Sequence, residues 1–584
     1  MSCNLKLRRM GQGALFFFLF FLSIVALAQP TSTYVKDVIM PAPSAASLGK
    51  YGDIPVNYFT GLPSIDIPIY TIQEGPLSLP ISLSYHASGI KVGEPASWVG
   101  AGWSLNAGGM ITRTVLGLRD EVGAGYYNNG NQVEENNSTI YEIANGELDG
   151  EADIFSFNIS GYSGKFIIDK DHHCHLIPKQ DLKIEFEYNS GALNFQWFTV
   201  TTPDGTRYHF GNVPGGTTDE GIEQTAVHDG NGGGGGAIDE YYSTWYLVQI
   251  ESADKKWHID LEYDNEIYSI ASLASCYDLT IFCETTGGQS SSGSIGCYGQ
   301  HDSELDKYVN KTSILGKRLR KSTTSTSTQV VDFISNIIRE DLGNAFYMGT
   351  SNTSGQLNEI HVSSGDFCSK WVFSYDYFKD PANQTRSEYK RLKLDQIQQK
   401  DCNGDPTLDI PPYVFYYEGT LNGDGSAFFP NRLSKAIDHY GFYNGASANE
   451  DHQVNIPPTT VNVTFGGTTT HITKGNSDRE TDESKSKYGI LKQIKYPTGG
   501  STYFTLESNT HFQETTQTDN LLYLTNCGYP PVPTCCDNTT ITDTKTLTNN
   551  QIDYGQFKLR LDAIDPNGGN TGNCYQDPYS DVFA

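Results

Sequence analysis

The chain has 584 residues, and 68 Asp and Glu against 40 Lys and Arg give it a formal net charge of −28. Such an acidic surface repels nucleic-acid phosphates and anionic membranes, which disfavours functions that need polyanion binding. The length is enough for roughly three or four domains. Only 18% of residues are charged, and 59 Gly, 36 Tyr and 28 Phe favour a turn-rich, aromatic β protein.

The first 28 residues have the layout of a secretory signal peptide. Basic residues precede an uncharged apolar run over residues 14–27, and a small-x-small cleavage site lies at residues 26–28. The run is shorter than the roughly 20 apolar residues of a spanning helix, and no later stretch is long and apolar enough to span a membrane. We therefore predict export to the cell surface or medium, with the periplasm and an uncleaved anchor as alternatives.

Export would allow the cysteines to form disulfides. Of the 11 cysteines, Cys3 leaves with the signal peptide. Two groups of three lie close in sequence, which favours local disulfides whose pairing the spacing leaves open: Cys276, Cys283 and Cys297, and Cys527, Cys535 and Cys536.

Residues 61–113, called the motif segment below, carry the densest strand signals, after an extended entry over residues 29–60. Apolar residues alternate with polar residues or proline over 65–69 and 79–85, which predicts strands with one core face. Gly75-Pro76 between the two runs predicts a turn, so the strands should pair antiparallel.

The second half of the motif segment is organised by glycine and tryptophan. Trp98 and Trp103 flank Gly100 and Gly102, which predicts a tight backbone bend with large apolar anchors on either side. A second turn at residues 108–109 precedes another predicted strand that starts at Met110.

Three ordered patterns in this segment carry a resemblance: G-L-P-x-I-x-I-P-I, then L-x-L-x-Y-x-x-x-G-I-K-V, then W-V-G-x-G-W-S-L-N-A-G-G-x-I-T-R. They are similar to the N-terminal region of bacterial RHS/YD-repeat proteins and, more distantly, to the shell-forming components of insecticidal toxin complexes. The hairpin T-T-P-D-G-T-x-Y-x-F-G at 201–211 and the region 435–500 also resemble that family.

The remaining chain predicts further β units. Residues 61–211 form an N-terminal β domain, 212–240 a Gly-rich linker, 241–420 a central hairpin-repeat region, and 421–584 a C-terminal β region. Within the central region, residues 265–330 show little periodicity and predict an insertion, with one helical candidate at 302–315. The predicted fold class is all-β, built from irregular antiparallel hairpin units in sandwich-like or partial-shell sheets.

The resemblance implies a structural role in which a β shell houses or presents a C-terminal or separately encoded effector. The family usually continues into many YD repeats and a variable effector, whereas this sequence reaches Ala584 without them. We therefore expect a non-enzymatic scaffold with no catalytic, cofactor or metal residues. The alternatives are a surface module that binds glycans or proteins and, third, a secreted glycoside hydrolase with its acids assembled in space.

Two kinds of metal site are candidates, one for zinc or copper and one for calcium. Asp171-His172-His173-Cys174-His175 contains ligands for zinc or copper, but it lies where a polar hairpin turn belongs. Residues 401–405 and 422–425 offer oxygen ligands for calcium, but neither forms a full EF-hand loop, and the same residues make ordinary turns. Turns are the favoured interpretation of both.

Two further candidates remain open. Tyr413, Phe415 and Tyr417 alternate on one strand and could form a glycan platform, although alternating aromatics more often pack in a core. Asp438-His439-Tyr440 could suggest catalysis, but no nucleophile is identified nearby, which favours a turn or packing role for His439.

Overall fold

A computed structural model describes residues 54–57, 59–129, 137–144, 147–159, 161–192, 194–215, 221–228, 238–274, 279–286, 294–301, 308–345, 350–383, 385–402, 404–407, 409–451, 455, 457–465, 468–508, 522–526, 537–541 and 559–560. The predicted signal peptide lies outside the described residues. The chain divides into the units Met1–Val56 and Asn57–Ala584. Nearly all of the regular secondary structure described in the second unit is antiparallel strand, which confirms the all-β prediction.

The motif segment begins with a small antiparallel sheet. Its strands are β1 (Ile65–Glu74), β2 (Leu77–Tyr85) and β3 (Trp103–Asn106), in the order β1-β2-β3. Gly75 makes the predicted turn with a φ of 55°, a value that glycine adopts without steric cost. Ile65 pairs with Tyr85 and Ile67 with Leu83, so the alternating apolar residues share one buried face. The predicted hairpin is confirmed.

A larger sheet, the main sheet, starts at the end of the motif segment. Its first strands are β4 (Met110–Thr114), β5 (Ile154–Ile159), β6 (Tyr162–Ile168), β7 (Cys174–Ile177), β8 (Lys183–Asn189), β9 (Asn194–Thr201), β10 (Arg207–Phe210), β11 (Ile222–His228) and β12 (Ile238–Glu251). Strand β12 joins two branches, because β4 through β7 extend from one of its edges and β10, β9 and β8 from the other. The predicted turn at Pro203-Asp204-Gly205 joins β9 and β10, and Gly205 has a φ of 87°.

Aromatic side chains fill the space between these two branches. Phe155 and Phe166 stack with ring centroids 5.1 Å apart, and Phe198 meets Trp245 edge-on at 5.0 Å. All four side chains are fully buried. Aromatic rings in such edge-on and offset pairs contribute more than their buried area alone, so they form the core of this part of the sheet.

The main sheet then closes on itself. The next strands are β13 (His258–Ala274), β14 (Leu279–Thr286), β15 (Ser294–His301) and β16 (Tyr308–Thr324). Strand β16 pairs with both β13 and β11, and β12 pairs with both β11 and β13. The four strands β12, β11, β16 and β13 therefore form a closed cycle of pairings, which we call the ring.

From the ring, the main sheet continues as a meander. The strands that follow are β17 (Gln329–Ile334), β18 (Ile337–Ile338), β19 (Gly355–Gln356), β20 (Glu359–Ser364), β21 (Phe367–Lys379), β22 (Lys390–Lys400), β23 (Tyr413–Tyr417), β24 (Thr459–Phe465), β25 (Thr468–Lys474), β26 (Leu491–Lys495) and β27 (Ser501–Tyr503). Pairing runs β16-β17-β20-β21-β22-β23-β26-β27, always antiparallel. This sequence of hairpins agrees with the predicted repetition of one hairpin unit.

Short elements lie outside these sheets. Three further strands are β28 (Leu522–Asn526), β29 (Asp537–Ile541) and β30 (Leu559–Arg560), and the small sheets are β15-β14-β30, β18-β19, β24-β25 and β28-β29. The helices are α1 (Tyr126–Asn129), α2 (Asn137–Ala144) and α3 (Glu483–Ser486), with 3-10 turns at Ser387–Tyr389 and Ser447–Asp451. No helix in the described ranges has the length and apolar character to cross a membrane.

Two local interpretations of the sequence are wrong. The helical candidate at 302–315 is strand from Tyr308 onward, because β16 pairs with β13 along its whole length. Strand β11 lies inside the stretch 212–240 that the glycine content marks as a linker. In both cases pairing with distant strands decides the conformation. The other domain boundaries stay predictions.

One described disulfide joins Cys368 on β21 to Cys402, which follows β22. The sequence clusters did not predict this pair. Strands β14 and β15 bring Cys283 opposite Cys297 in backbone register, and the other clustered cysteines lie outside the described residues.

We expect the Cys368→Ser/Cys402→Ser double variant to lose about 2–4 kcal/mol of unfolding free energy, because the bond constrains the unfolded chain across a separation of 34 residues. Urea unfolding of both proteins measures this difference. Cys174→Ser changes the free, half-buried thiol and serves as the matched control, with a small expected effect. Equal losses in the two variants would contradict the stabilising role of the bond.

Candidate functional site

The motif segment is held by strands that lie about 300 residues later in the chain. The Ala101 backbone N–H donates to the carbonyl of Leu392 on β22 at 2.9 Å. Gly100 has a φ of 107°, and a side-chain carbon there would lie 3.0 Å from the Leu394 backbone nitrogen. The bend therefore needs glycine for its conformation and for close approach to β22. The predicted tight bend is confirmed.

Trp103 is the apolar anchor of this contact. Its ring is 1% exposed and packs against Tyr85 at 5.0 Å and Phe415 at 4.5 Å between centroids. Its indole N–H donates to the Tyr417 hydroxyl at 2.9 Å, and that hydroxyl donates to the Leu394 carbonyl at 2.6 Å. The tryptophan thus satisfies its one polar atom while it joins β3 to β22 and β23.

Tyr85 ties the same segment to β26. The Leu491 backbone N–H donates to the Tyr85 hydroxyl at 2.9 Å. Complete burial raises the pKa of Tyr85, so the hydroxyl stays neutral. Gly102, with a φ of 75°, lies so close beneath the ring that a side-chain carbon would be 2.5 Å from it. Gly102 and Tyr85 of the motif segment therefore pack together at the place where the segment contacts β26.

Buried arginines hold backbone carbonyls of the motif segment. Arg339 donates to Asp341 through Nε at 3.0 Å and Nη2 at 2.8 Å, and Nη2 also donates to the Ala96 carbonyl at 2.8 Å. Arg391 donates to the Val92 carbonyl at 2.6 Å. Nothing in the sequence pattern signalled these roles, apart from a charged residue beside the apolar positions of β22.

Arg391 is an unusual cation. It is 2% exposed, and its guanidinium lies 4.3 Å from the centroid of Phe429. Burial, together with the nearby Arg432, lowers the pKa of Arg391 to about 9. The stacking and the carbonyl contacts offset part of the cost of burying this charge.

The β1–β2 turn of the motif segment contacts the turn between β16 and β17 and the turn between β12 and β13. Buried Glu74 accepts hydrogen bonds from the Ser325 hydroxyl at 2.6 Å and from the backbone and hydroxyl of Thr326 at 3.2 and 3.1 Å. Gly75 sits directly over the Trp257 ring, where a side-chain carbon would be 2.7 Å away. The motif segment is therefore fixed at both of its ends.

A separate buried network surrounds Arg113 at the end of the motif segment. Its guanidinium pairs with Glu121 and Asp153, and the side chains of these ion pairs are 0% exposed. Asp120 and Asp153 each accept the other's backbone N–H, at 3.0 and 3.2 Å. Asp120 Oδ2 and Asp149 Oδ2 are buried without a hydrogen-bond partner. Burial and the charge of Asp153 raise the pKa of Asp120 to about 8.

This network predicts a measurable pH dependence. Because the pKa of Asp120 is raised on folding, its favourable contribution is complete below the ordinary Asp range and is lost as pH rises towards 8. We expect Asp120→Asn, which keeps an oxygen for the Asp153 N–H, to remove this loss. As pH rises, the variant should therefore become more stable relative to the native protein, by at most about 1.4 kcal/mol of unfolding free energy per pH unit.

Urea unfolding at pH 5, 6, 7 and 8 measures this difference. Asp366→Asn, an exposed carboxyl in the turn between β20 and β21, is the matched control and should show no such trend. A difference between Asp120→Asn and native protein that stays constant over this range would contradict a protonated Asp120.

The histidine and cysteine cluster forms a hairpin turn between β6 and β7. His175 Nε2 lies 2.6 Å from Asp169 Oδ2, while His172 stacks on Tyr127 at 3.9 Å between centroids. Burial raises the pKa of the Cys174 thiol to about 12, which disfavours the thiolate that a metal needs. In the part of the chain that the structure describes, no group of three His, Cys, Asp or Glu side chains is arranged to hold a metal ion.

The two calcium candidates are turns held by their own side chains. Asp401 accepts the Asp405 N–H at 3.1 Å, and Asp405 accepts the backbone and hydroxyl of Thr407. Asp424 accepts the backbone N–H and hydroxyl of Ser426 at 3.0 and 2.6 Å. The carboxylates serve as turn acceptors, as the turn interpretation of both candidates expects.

The aromatic strip on β23 faces the interior. Phe415 is 3% exposed, and the hydroxyl of Tyr417 is the partner of Trp103. Asp438 is 0% exposed and accepts the backbone N–H groups of Tyr440 and Phe442 at 2.9 Å each. Both arrangements are structural: one is a packing strip and the other a capped turn.

Besides the carboxyl groups around Arg113, the structure brings together Glu223 on β11 and Glu266 on β13, a pair that the sequence did not single out. Two cavities of about 270 and 140 Å³ lie elsewhere, the larger beside Arg386 and the smaller beside Tyr503. Neither glutamate lines either of these two cavities.

A scan against protein-family models and a search of curated proteins both give no match. Among solved structures, the chain is similar to the Tc holotoxin pore of Photorhabdus luminescens, with a TM-score of 0.31 and 12% identity. The similarity covers 62% of this chain and 16% of that chain.

Proposed function

We propose that the chain is a non-enzymatic scaffold of an exported RHS/YD-repeat-type protein, in which a β shell houses or presents an effector. The observation that supports the proposal is that the motif segment connects distant strands of the fold. Gly100, Trp103 and Tyr85 contact strands of the meander, and Gly102 packs against the Tyr85 ring, so the patterns that carry the family resemblance act as structural joints.

The form of the main sheet also supports a scaffold. The meander ends at β27, which pairs with β26 alone among the described strands. Tyr503 on this strand is 68% exposed. An unpaired strand edge is a template for a further strand, so β27 offers a place where a repeat shell can continue. The disulfide between Cys368 and Cys402 agrees with an oxidising, exported location.

A photocrosslinking residue at Tyr503 tests this proposal in the native, secreted protein. We expect crosslinks from position 503 to polypeptide with RHS/YD repeats, identified by mass spectrometry. Position 416 is the matched control, since Tyr416 is 46% exposed on β23, which has partners on both edges. A secreted protein that gives no crosslink from position 503 and instead cleaves a glycan in a substrate screen would overturn the proposal.

A further inference from the structure

Two glutamates flank one glycine across three neighbouring strands of the ring. Glu266 on β13 lies opposite Gly316 on β16, and on the other side of β16 the pairing of Gln224 with Leu315 places Glu223 next to Gly316. A side-chain carbon at Gly316 would lie 3.4 Å from Glu223 Oε2 and 3.5 Å from Glu266 Oε1. The two carboxyl groups therefore lean from opposite sides towards the same small space.

The two carboxyl groups differ in their hydrogen-bond partners. Glu223 Oε1 accepts the hydroxyls of Ser243 and Thr244 at 3.2 and 3.1 Å, and Oε2 accepts the Tyr246 hydroxyl at 3.1 Å. Glu266 accepts hydrogen bonds from the Ser354 side chain and the Gly355 backbone N–H, but its Oε2 is buried with no hydrogen-bond partner. Glu223 thus has the donors that an ionised carboxylate needs, whereas Glu266 has an oxygen on which a proton would cost no hydrogen bond.

The charged groups around the pair do not neutralise two negative charges. Arg318 on β16 lies 3.7 Å from Glu266 Oε2 but also 3.6 Å from Asp264, and Arg339 is paired with Asp341.

Tyr246 of β12 and Tyr268 of β13 also face the pair, and burial with the nearby carboxylates raises the pKa of both, so they stay neutral. Burial raises the pKa of Glu223 and of Glu266, and the charge of Glu266 raises that of Glu223 further.

We propose that Glu223 and Glu266 hold one proton between them across Gly316, and that loss of this proton loosens β11 from β16 and opens the ring. With the proton present, the pair carries a single negative charge, which the hydroxyls of Ser243, Thr244 and Tyr246 stabilise on Glu223. When the proton is lost, both carboxylates are charged and lie on either side of Gly316. Two buried like charges so close to each other repel strongly. Strand β11 is the strand that would yield, because it is the shortest of the four in the ring.

The direction of the pH effect follows from the raised pKa values. A carboxyl whose pKa is raised on folding stabilises the fold fully below its ordinary range and loses that contribution as pH rises through the folded value. The ring should therefore be closed in acid solution and loosen as pH rises.

Hydrogen exchange of the intact protein between pH 5 and pH 9 tests the proposal. After correction for the intrinsic pH dependence of exchange, amides of residues 224–228 should lose protection by about tenfold or more, the factor that corresponds to one pKa unit. In Glu266→Gln, a neutral amide replaces the protonated carboxyl, and this pH-dependent loss should disappear.

Glu262→Gln is the matched control, because Glu262 lies on the same strand, is 44% exposed and pairs with Arg320 instead. It should keep the native pH dependence. Glu223→Gln is a second, independent variant and should also remove the effect, should Glu266→Gln fail to fold. Native protection that does not change with pH, or a pH dependence that persists in a folded Gln variant at either position, would overturn the proposal.

Discussion

Replacement of Trp103 by alanine should destabilise the protein by about 3–5 kcal/mol, the range for deletion of a large aromatic side chain from a packed core. The ring is 1% exposed between Tyr85 and Phe415, so its loss leaves a cavity where three parts of the chain meet. It also leaves the Tyr417 hydroxyl without its donor. Urea unfolding followed by circular dichroism measures the change.

Two variants sharpen this test. Trp103→Phe keeps most of the apolar volume and loses only the indole N–H, so we expect a clearly smaller loss. Trp197→Ala removes a half-buried tryptophan whose indole N–H donates to Glu187, away from the motif segment, and should have the smallest effect of the three. If Trp197→Ala costs as much as Trp103→Ala, the anchoring role of Trp103 is wrong.

Replacement of Arg113 by methionine should cost about 3–5 kcal/mol, because it leaves buried carboxylates without their cation. Glu121 and Asp153 pair with this guanidinium in a setting with 0% side-chain exposure. Methionine keeps the length and packing of the side chain, so the loss reports mainly on charge. The measurement is again the unfolding free energy, taken at neutral pH.

The control for Arg113 is an arginine in an exposed ion pair. Arg320 pairs with Glu262 across β16 and β13, and both side chains are more than 40% exposed. Such pairs contribute roughly 0–1 kcal/mol, so Arg320→Met should change stability little. The loss for Arg113→Met should also shrink in acid, where the orphaned carboxylates can take up protons. A loss that does not depend on pH would argue against a charge-based role.

Local features of the sequence were enough to predict the hairpins. Alternation over β1 and β2, with Gly75-Pro76 between them, specifies both strands and their turn within 21 residues, and Pro203-Asp204-Gly205 does the same for β9 and β10. These features succeed because side-chain alternation and turn conformation are decided by neighbours in the chain.

Contacts between distant residues could not be predicted in this way. Trp103 and its partner Tyr417 are separated by 314 residues, and Arg391 reaches the Val92 carbonyl across 299. The sequence around β16 does not show that it is a strand, because its partner β13 is separated from it along the chain by β14 and β15. The glycines predicted a tight bend, but nothing local showed that this bend approaches another strand closely or that the strand is β22.

The same limit applies to the candidate sites. The patterns drew attention to residues 171–175, 401–405 and 438–440, all of which prove to be turns with internal hydrogen bonds. The unusual buried charges are elsewhere, at Asp120, Arg391 and the Glu223–Glu266 pair. Each owes its character to burial by elements far along the chain, which a single sequence does not reveal.

The central claim is that the motif segment and the strands it contacts, β22, β23 and β26, form one cooperative scaffold. Hydrogen exchange of the intact protein tests this claim most directly. We predict that amides of residues 85–103, 390–417 and 488–494 exchange with equal opening free energies, and that Trp103→Ala lowers all three together. Rapid exchange of residues 85–103 while 390–417 stay protected would contradict the claim, since the motif segment would then be an appendage and not part of the scaffold.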